Sequence, residues 1–213
     1  MKILITGANR GLGENLTREF LKNKNNLYLT ARKESSLAEF ENADVKKYEL
    51  DLSSLVSINN FFKNEDSFEE LDLIIHCASS FEGTLKDSSY SELDIWSNSY
   101  SAALKLSKFA SRKLSKTGKL IFIGSVVGSE GHISESCVPY SVYKGTLKLL
   151  AEGFQKEFGK SAIYINLGGF RDEATDEYLQ TNQVVSSILN IAETDYRDIQ
   201  FNLMSKKDEQ SYL

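Results

Sequence analysis

Residues 2–13 read Lys2-Ile3-Leu4-Ile5-Thr6-Gly7-Ala8-Asn9-Arg10-Gly11-Leu12-Gly13, an apolar strand running straight into three glycines and then into a helical pattern. Glycine permits a tight turn and lets the backbone approach a phosphate with no Cβ in the way. The helix that follows presents free N–H groups and the positive end of its dipole to an anion. The stretch therefore predicts a strand–turn–helix unit able to hold a pyrophosphate. Its spacing, Gly-x3-Gly-x-Gly, is not the Gly-x-Gly-x2-Gly of the common dinucleotide fingerprint. An ordinary strand-to-helix turn is the competing reading, and residues further along decide between the two.

Outward from this unit, short β-rich apolar runs occur at Lys2–Thr6, Asn26–Thr30, Val45–Glu49, Leu73–Cys77, Lys119–Ile123, Ala162–Asn166 and Ile199–Leu203. They alternate with amphipathic helical stretches near 12–23, 54–64, 95–115, 138–158 and 181–193. Leu73-Ile74-Ile75 and Leu120-Ile121-Phe122-Ile123 are continuously apolar, as strands covered on both faces must be. The pattern predicts an α/β fold: one domain over residues 1–213, a Rossmann-like doubly wound parallel sheet of about seven strands with helices on both faces. Ligands bind such a sheet at the carboxyl ends of its strands. The glycine turn, Thr30–Arg32, Asp51, Cys77–Ser79, Ser125 and Gly168-Gly169 all follow predicted strands and should line one edge of the molecule.

Composition narrows the partners. A net charge of -5 with no basic cluster argues against nucleic acid. No apolar run approaches the ~20 residues that span a bilayer, and the first strand begins at residue 2, which leaves no room for a signal peptide. Cys77 and Cys137, with His76 and His132, lack metal-ligand spacing. The expectation is a reduced, cytoplasmic protein without a metal site.

Tyr140 and Lys144 are four residues apart on the predicted helix 138–158, so both side chains share one face. A chain with 10 Tyr and many Lys holds such a pair by chance; its position carries the meaning. The pair follows a strand ending Ile123-Gly124-Ser125, in a chain that opens on a glycine turn.

These residues, in this order, resemble the short-chain dehydrogenase/reductase family from residue 2 to about 172. Thr6-Gly7-x3-Gly11-x-Gly13 is similar to its cofactor turn, and Asp51-Leu52 to its adenine-contacting aspartate after the third strand. Asn98, Ser125, Tyr140 and Lys144 fall where the family places its catalytic tetrad. Asn166-Leu167-Gly168-Gly169-Phe170 is similar to the segment beside the nicotinamide. The resemblance implies cofactor contacts from Gly7, Asn9, Arg10, Gly11, Leu12, Gly13, Arg32, Asp51, Leu52, Ala78, Ser79, Tyr140, Lys144, Gly168 and Phe170. It implies that Tyr140 exchanges a proton with a carbonyl oxygen, Ser125 donates to that oxygen, Lys144 holds the ribose, and Asn98 positions a water behind Lys144. An ammonium beside a phenol favours the phenolate, so Lys144 should lower the pKa of Tyr140. The plainer readings are a loop cap for Ser125, a solvent-facing Asn98, a packed surface aromatic for Tyr140, and an Asp51 that caps the helix at 54–64.

The second strand ends Leu29-Thr30-Ala31-Arg32-Lys33 with no acid before Glu34 to take a ribose 2′-hydroxyl. Arg32, with Arg10, can bind a 2′-phosphate instead, so NADP(H) is expected over NAD(H); a solvated Arg32-Lys33 pair is the alternative. The chain departs from the family at His76-Cys77-Ala78-Ser79, where Asn-Asn-Ala-Gly is usual, at Leu167 for a proline, and at Asp172 for a threonine. The interval from Arg171 to Asn182 is short where a helical lid is common. The expected activity is NADPH-dependent reduction of a ketone or aldehyde, or oxidation of the alcohol. A catalytically silent NADP(H)-binding sensor or scaffold is the alternative, and a sugar-nucleotide dehydratase or epimerase a weaker one. Apolar residues on more than one face of the helices at 95–115 and 138–158, among them Trp96, Tyr100, Leu104, Leu147, Leu150 and Phe154, suggest a homodimer or homotetramer.

Overall fold

The computed structural model describes all residues except 42–43, 80–83, 130–132, 174, 176, 197–198 and 211–213. Its strands are β1 Lys2–Thr6, β2 Asn26–Ala31, β3 Val45–Glu49, β4 Leu71–His76, β5 Leu114–Ile123, β6 Ser161–Leu167, β7 Phe170–Arg171, β8 Leu179–Gln180 and β9 Gln200–Leu203. Its α-helices are α1 Gly11–Lys22, α2 Leu55–Lys63, α3 Tyr90–Lys113, α4 Val138–Phe158, α5 Thr181–Glu193 and α6 Lys206–Gln210. Seven strands form one sheet in the order β3-β2-β1-β4-β5-β6-β9, and every pairing is parallel. The order reverses between β1 and β4, which is where a doubly wound sheet opens a crevice.

The uninterrupted apolar runs serve two faces at once. Ile3, Ile5, Ile75, Ile121 and Ile163 pack under α1 and α5 with Leu16, Phe20 and Ile188. Leu4, Ile74, Leu120 and Phe122 pack under α2, α3 and α4 with Phe61, Phe109 and Leu147. Each fully buried side chain of this kind stabilises the fold by about 1.5–3 kcal/mol.

The expected strands and helices are all present, with shifted ends. α3 starts at Tyr90 rather than near residue 95 because Ser89 and Glu92 form a reciprocal capping box. β5 reaches back to Leu114 through an irregular register beside Leu71 and Leu73. α4 begins with Pro139 in its first turn and ends on Gly159 at φ 64, a left-handed cap. The β7–β8 pair and the short α6 had no periodic signal in the sequence. No α-helix among the described residues is long and apolar enough to cross a membrane.

Candidate functional site

The turn after β1 is shaped by backbone geometry that only glycine tolerates. Gly7 adopts φ +70, and a Cβ there would lie 2.9 Å from the Ala78 Cα. A Cβ on Gly13 would lie 2.2 Å from the Gly7 carbonyl oxygen. Arg10 sits at the N-cap of α1 in extended conformation and supplies no side-chain cap. The first amides of α1 are thus left for an outside acceptor, which is what an anion site requires.

This turn forms one end of a cleft of about 1030 Å³ along the carboxyl edge of the sheet. All the anticipated cofactor residues line it, from Gly7 and Asn9 through Arg32, Asp51 and Leu52 to Ala78, Ser79, Gly168 and Phe170, and so do Ser125, Tyr140 and Lys144. Asp51 is not the cap of α2: Ser54 takes that role, accepting the Ser57 amide at 3.2 Å. The Asp51 carboxylate accepts the Ser53 amide and hydroxyl at 2.9 and 2.7 Å, and lies 3.7 Å from the Arg32 guanidinium.

Ser125 follows β5, and its side chain faces Tyr140 closely enough to act on the Tyr140 phenol. One turn further along α4, buried Lys144 donates to the Ile123 carbonyl at 2.7 Å and lies 5.5 Å from the Tyr140 ring centroid. Burial lowers the Lys144 ammonium to about 8. The expected lowering of Tyr140 is not observed: burial raises its pKa, and Ser125 only partly opposes that. Tyr140 therefore keeps its phenolic proton at neutral pH.

Asn98 does not line the cleft. Its side-chain amide donates to the Ser53 carbonyl at 3.2 Å, because its place on α3 faces the loop before α2. Asp172 also stays outside the cleft lining, accepting from the Thr181 hydroxyl at 3.3 Å at the start of α5. Cys77 lines the cleft half-buried, its thiol raised by burial to about 12. His76 is buried and hydrogen-bonded on both nitrogens; His132 lies outside the described residues.

Sequence reasoning missed several cleft residues. Val126, Val127 and Cys137 follow β5 or begin α4, so the rule of strand carboxyl ends could have found them. Tyr178 could not have been found that way. It reaches the cleft because β7 and β8 pair and the Tyr178 amide donates to Thr175 Oγ1 at 3.1 Å, folding back a segment that reads as polar loop. Arg171 stacks on its ring, 3.9 Å from the centroid.

A parallel doubly wound sheet, a glycine turn at its switch point and a Tyr/Lys helix facing that turn define a dinucleotide-dependent class of oxidoreductase. The chain belongs to the short chain dehydrogenase family, whose model matches residues 1–181. It is 26% identical to the 3-oxoacyl-[acyl-carrier-protein] reductase FabG of Salmonella typhimurium over 174 residues, 77% of this chain and 70% of that protein. A short-chain dehydrogenase from Sphingobium yanoikuyae, solved with NADPH, superposes with a TM-score of 0.78 at 18% identity, over 94% of this chain and 87% of that one. A 4-hydroxyisoleucine dehydrogenase solved with NADH gives 0.80 at 22% identity, over 96% and 97%.

Proposed function

We propose that this protein is an NADP(H)-dependent reductase of a ketone or aldehyde, with Tyr140 as the proton donor. The observation that carries the reading is the meeting of Ser125, Tyr140 and buried Lys144 in one cleft continuous with the glycine turn. The cradle of Gly7 and Gly13 and the uncapped amides of α1 fit a pyrophosphate. Bound NADPH supplies a hydride to the carbonyl carbon. Tyr140 gives its proton to the carbonyl oxygen as negative charge develops there, and Ser125 donates a hydrogen bond to the same atom. Lys144 binds the cofactor ribose. Asn98 is assigned to the packing of α3 on the Ser53 loop. Of the departures that favoured a silent sensor, Asp172 is absent from the cleft lining and His76 has both its hydrogen bonds, while Cys77, Ala78 and Ser79 do line the cleft.

Exposed Arg32, with Arg10 also lining the cleft, supports a 2′-phosphate preference. Replacing Arg32 with Ala is expected to weaken NADPH binding by about 10–100-fold, the worth of one charge-assisted contact, and to leave NADH binding unchanged. Calorimetric titration with both cofactors checks this. Equal loss for both would remove Arg32 from phosphate recognition. If the wild-type protein binds neither cofactor, the reductase reading falls.

Self-association through α3 and α4 belongs to the same proposal. Leu147 and Phe154 are buried against the sheet, so they do not contribute. Tyr100 and Leu104 on α3, with Val142 and Leu149 on α4, are 42%, 42%, 53% and 67% exposed and form the apolar outer face. Light scattering at micromolar concentration is expected to show a dimer or tetramer, and Leu104→Lys with Leu149→Lys a monomer. A monomeric wild-type protein would contradict this.

A further inference from the structure

Beneath the cleft lies a buried polar chain that the proposed chemistry does not use. His76, at the end of β4, is 1% exposed, with its Nδ1 2.8 Å from the Thr6 hydroxyl and its Nε2 2.8 Å from the Tyr143 hydroxyl. Thr6 closes β1 and also accepts the Ala78 amide at 3.2 Å. Ala78 in turn packs against Gly7, where the turn leaves no room for a Cβ. Tyr143 is 3% exposed and immediately precedes Lys144 on α4, and the Lys144 ammonium lies 5.9 Å from its ring centroid. The Trp96 ring stands 6.2 Å from both Tyr140 and Tyr143, filling the other side of the helix. The imidazole stands at 87° to the Phe122 ring, 5.9 Å between centroids.

Sheet packing alone accounts for Leu147, Ala151 and Phe154, which anchor the later turns of α4 in an apolar core. Apolar contacts are non-directional and tolerate sliding and rotation of the first turns. Two short buried hydrogen bonds fixed to one imidazole do not. A neutral imidazole carries one proton, so one hydroxyl donates to the ring and the other accepts from it. Each hydroxyl therefore has a set orientation. We propose that His76 and Tyr143 are positioning residues: their hydrogen bond fixes the first turns of α4, and with them Tyr140 and Lys144, to the strand ends that carry the glycine turn.

The inference rests on the reductase reading for its kinetic consequence only. Tyr143→Phe removes the hydroxyl and little else. It is expected to lower kcat roughly 10- to 100-fold, as a small misplacement of reacting groups does, and to weaken NADPH binding much less, since Lys144 keeps its bond to the Ile123 carbonyl. His76→Asn is expected to lower kcat in the same range, and the double variant to be no worse than His76→Asn alone, since Tyr143→Phe removes only the bond that His76→Asn already removes together with the Thr6 bond. Amide hydrogen exchange without any substrate is the second measurement. Tyr143→Phe is expected to speed exchange at residues 141–145 selectively, with β4, β5 and β6 as protected as in wild type. If wild type binds NADPH but reduces no carbonyl compound, selective exchange still supports the linkage while the reductase reading fails. Unchanged exchange at 141–145, exchange raised equally across the sheet, or additive kinetic losses in the double variant would each overturn it.

Discussion

Tyr140→Phe is expected to lower kcat for carbonyl reduction by about 10²–10⁴-fold, the usual loss when a positioned proton donor is removed, while NADPH binds as before. The ring stays in place and only the hydroxyl disappears, so the Trp96 contact and the packing of α4 survive. What goes is the proton that meets the oxygen as it becomes negative. Ser125 can still donate a hydrogen bond there, but one neutral donor cannot discharge an alkoxide. The raised pKa of Tyr140 is consistent with the expectation, because burial keeps the phenol protonated at neutral pH, the form the proposed reduction needs. Steady-state kinetics on a reducible carbonyl, with calorimetric NADPH titration of the same variant, checks both halves. Undiminished turnover would remove Tyr140 from the chemistry.

The second large effect is on stability. Burial holds the His76 imidazole at about 3, against 6.5 in an unfolded chain, and the nearby Lys144 ammonium adds to the lowering. Between these values the unfolded chain takes up a proton that the folded one refuses. Stability is therefore complete above pH 6.5 and falls as the pH drops toward 3. The loss reaches about 5 kcal/mol at its limit, a large part of the roughly 5–15 kcal/mol that a domain possesses. Urea unfolding between pH 4 and 7 is expected to show this slope in wild type and a flatter one in His76→Asn. Parallel slopes would assign the acid sensitivity to other groups.

The sheet was legible because its strands are buried on both faces and so are apolar without interruption. Ile74 and Ile75 serve opposite cores, and nothing but a parallel sheet under two helical layers asks for that. The glycine turn was legible because its backbone excludes a Cβ, a constraint that leaves a mark in the sequence. Tyr140, Lys144 and Ser125 were singled out by their resemblance to the family's tetrad, in their order after the glycine turn and the strand ending at Ile123. Asn98 shows where such placement stops. Position on α3 was right, but the direction of its amide depended on where the Ser53 carbonyl would lie, which spacing does not encode. Tyr140 shows the same gap in electrostatics: proximity of Lys144 was readable, whereas burial, the larger influence on its pKa, is a property of the folded whole. Tyr178 was invisible because two-residue strands have no period to detect.

The cleft is assembled from residues as far apart in the chain as Gly7 and Tyr178. β1, β2 and β3 lie on one side of the crevice and β5, β6 and β9 on the other, with β4 arriving beside β1 only after the first half has left its edge exposed. A ribosome releasing this chain from its N-terminus therefore delivers the phosphate turn early and the opposite wall late. A nucleotide can meet the early half only as a bare glycine turn without its facing helix. On the proposed function its binding energy would be gained after α4 and β6 have docked, so a cofactor would lock a finished domain rather than template an unfinished one. Until β4 docks, the edge of β1 that it will cover stands open, the kind of edge on which a neighbouring chain can pair.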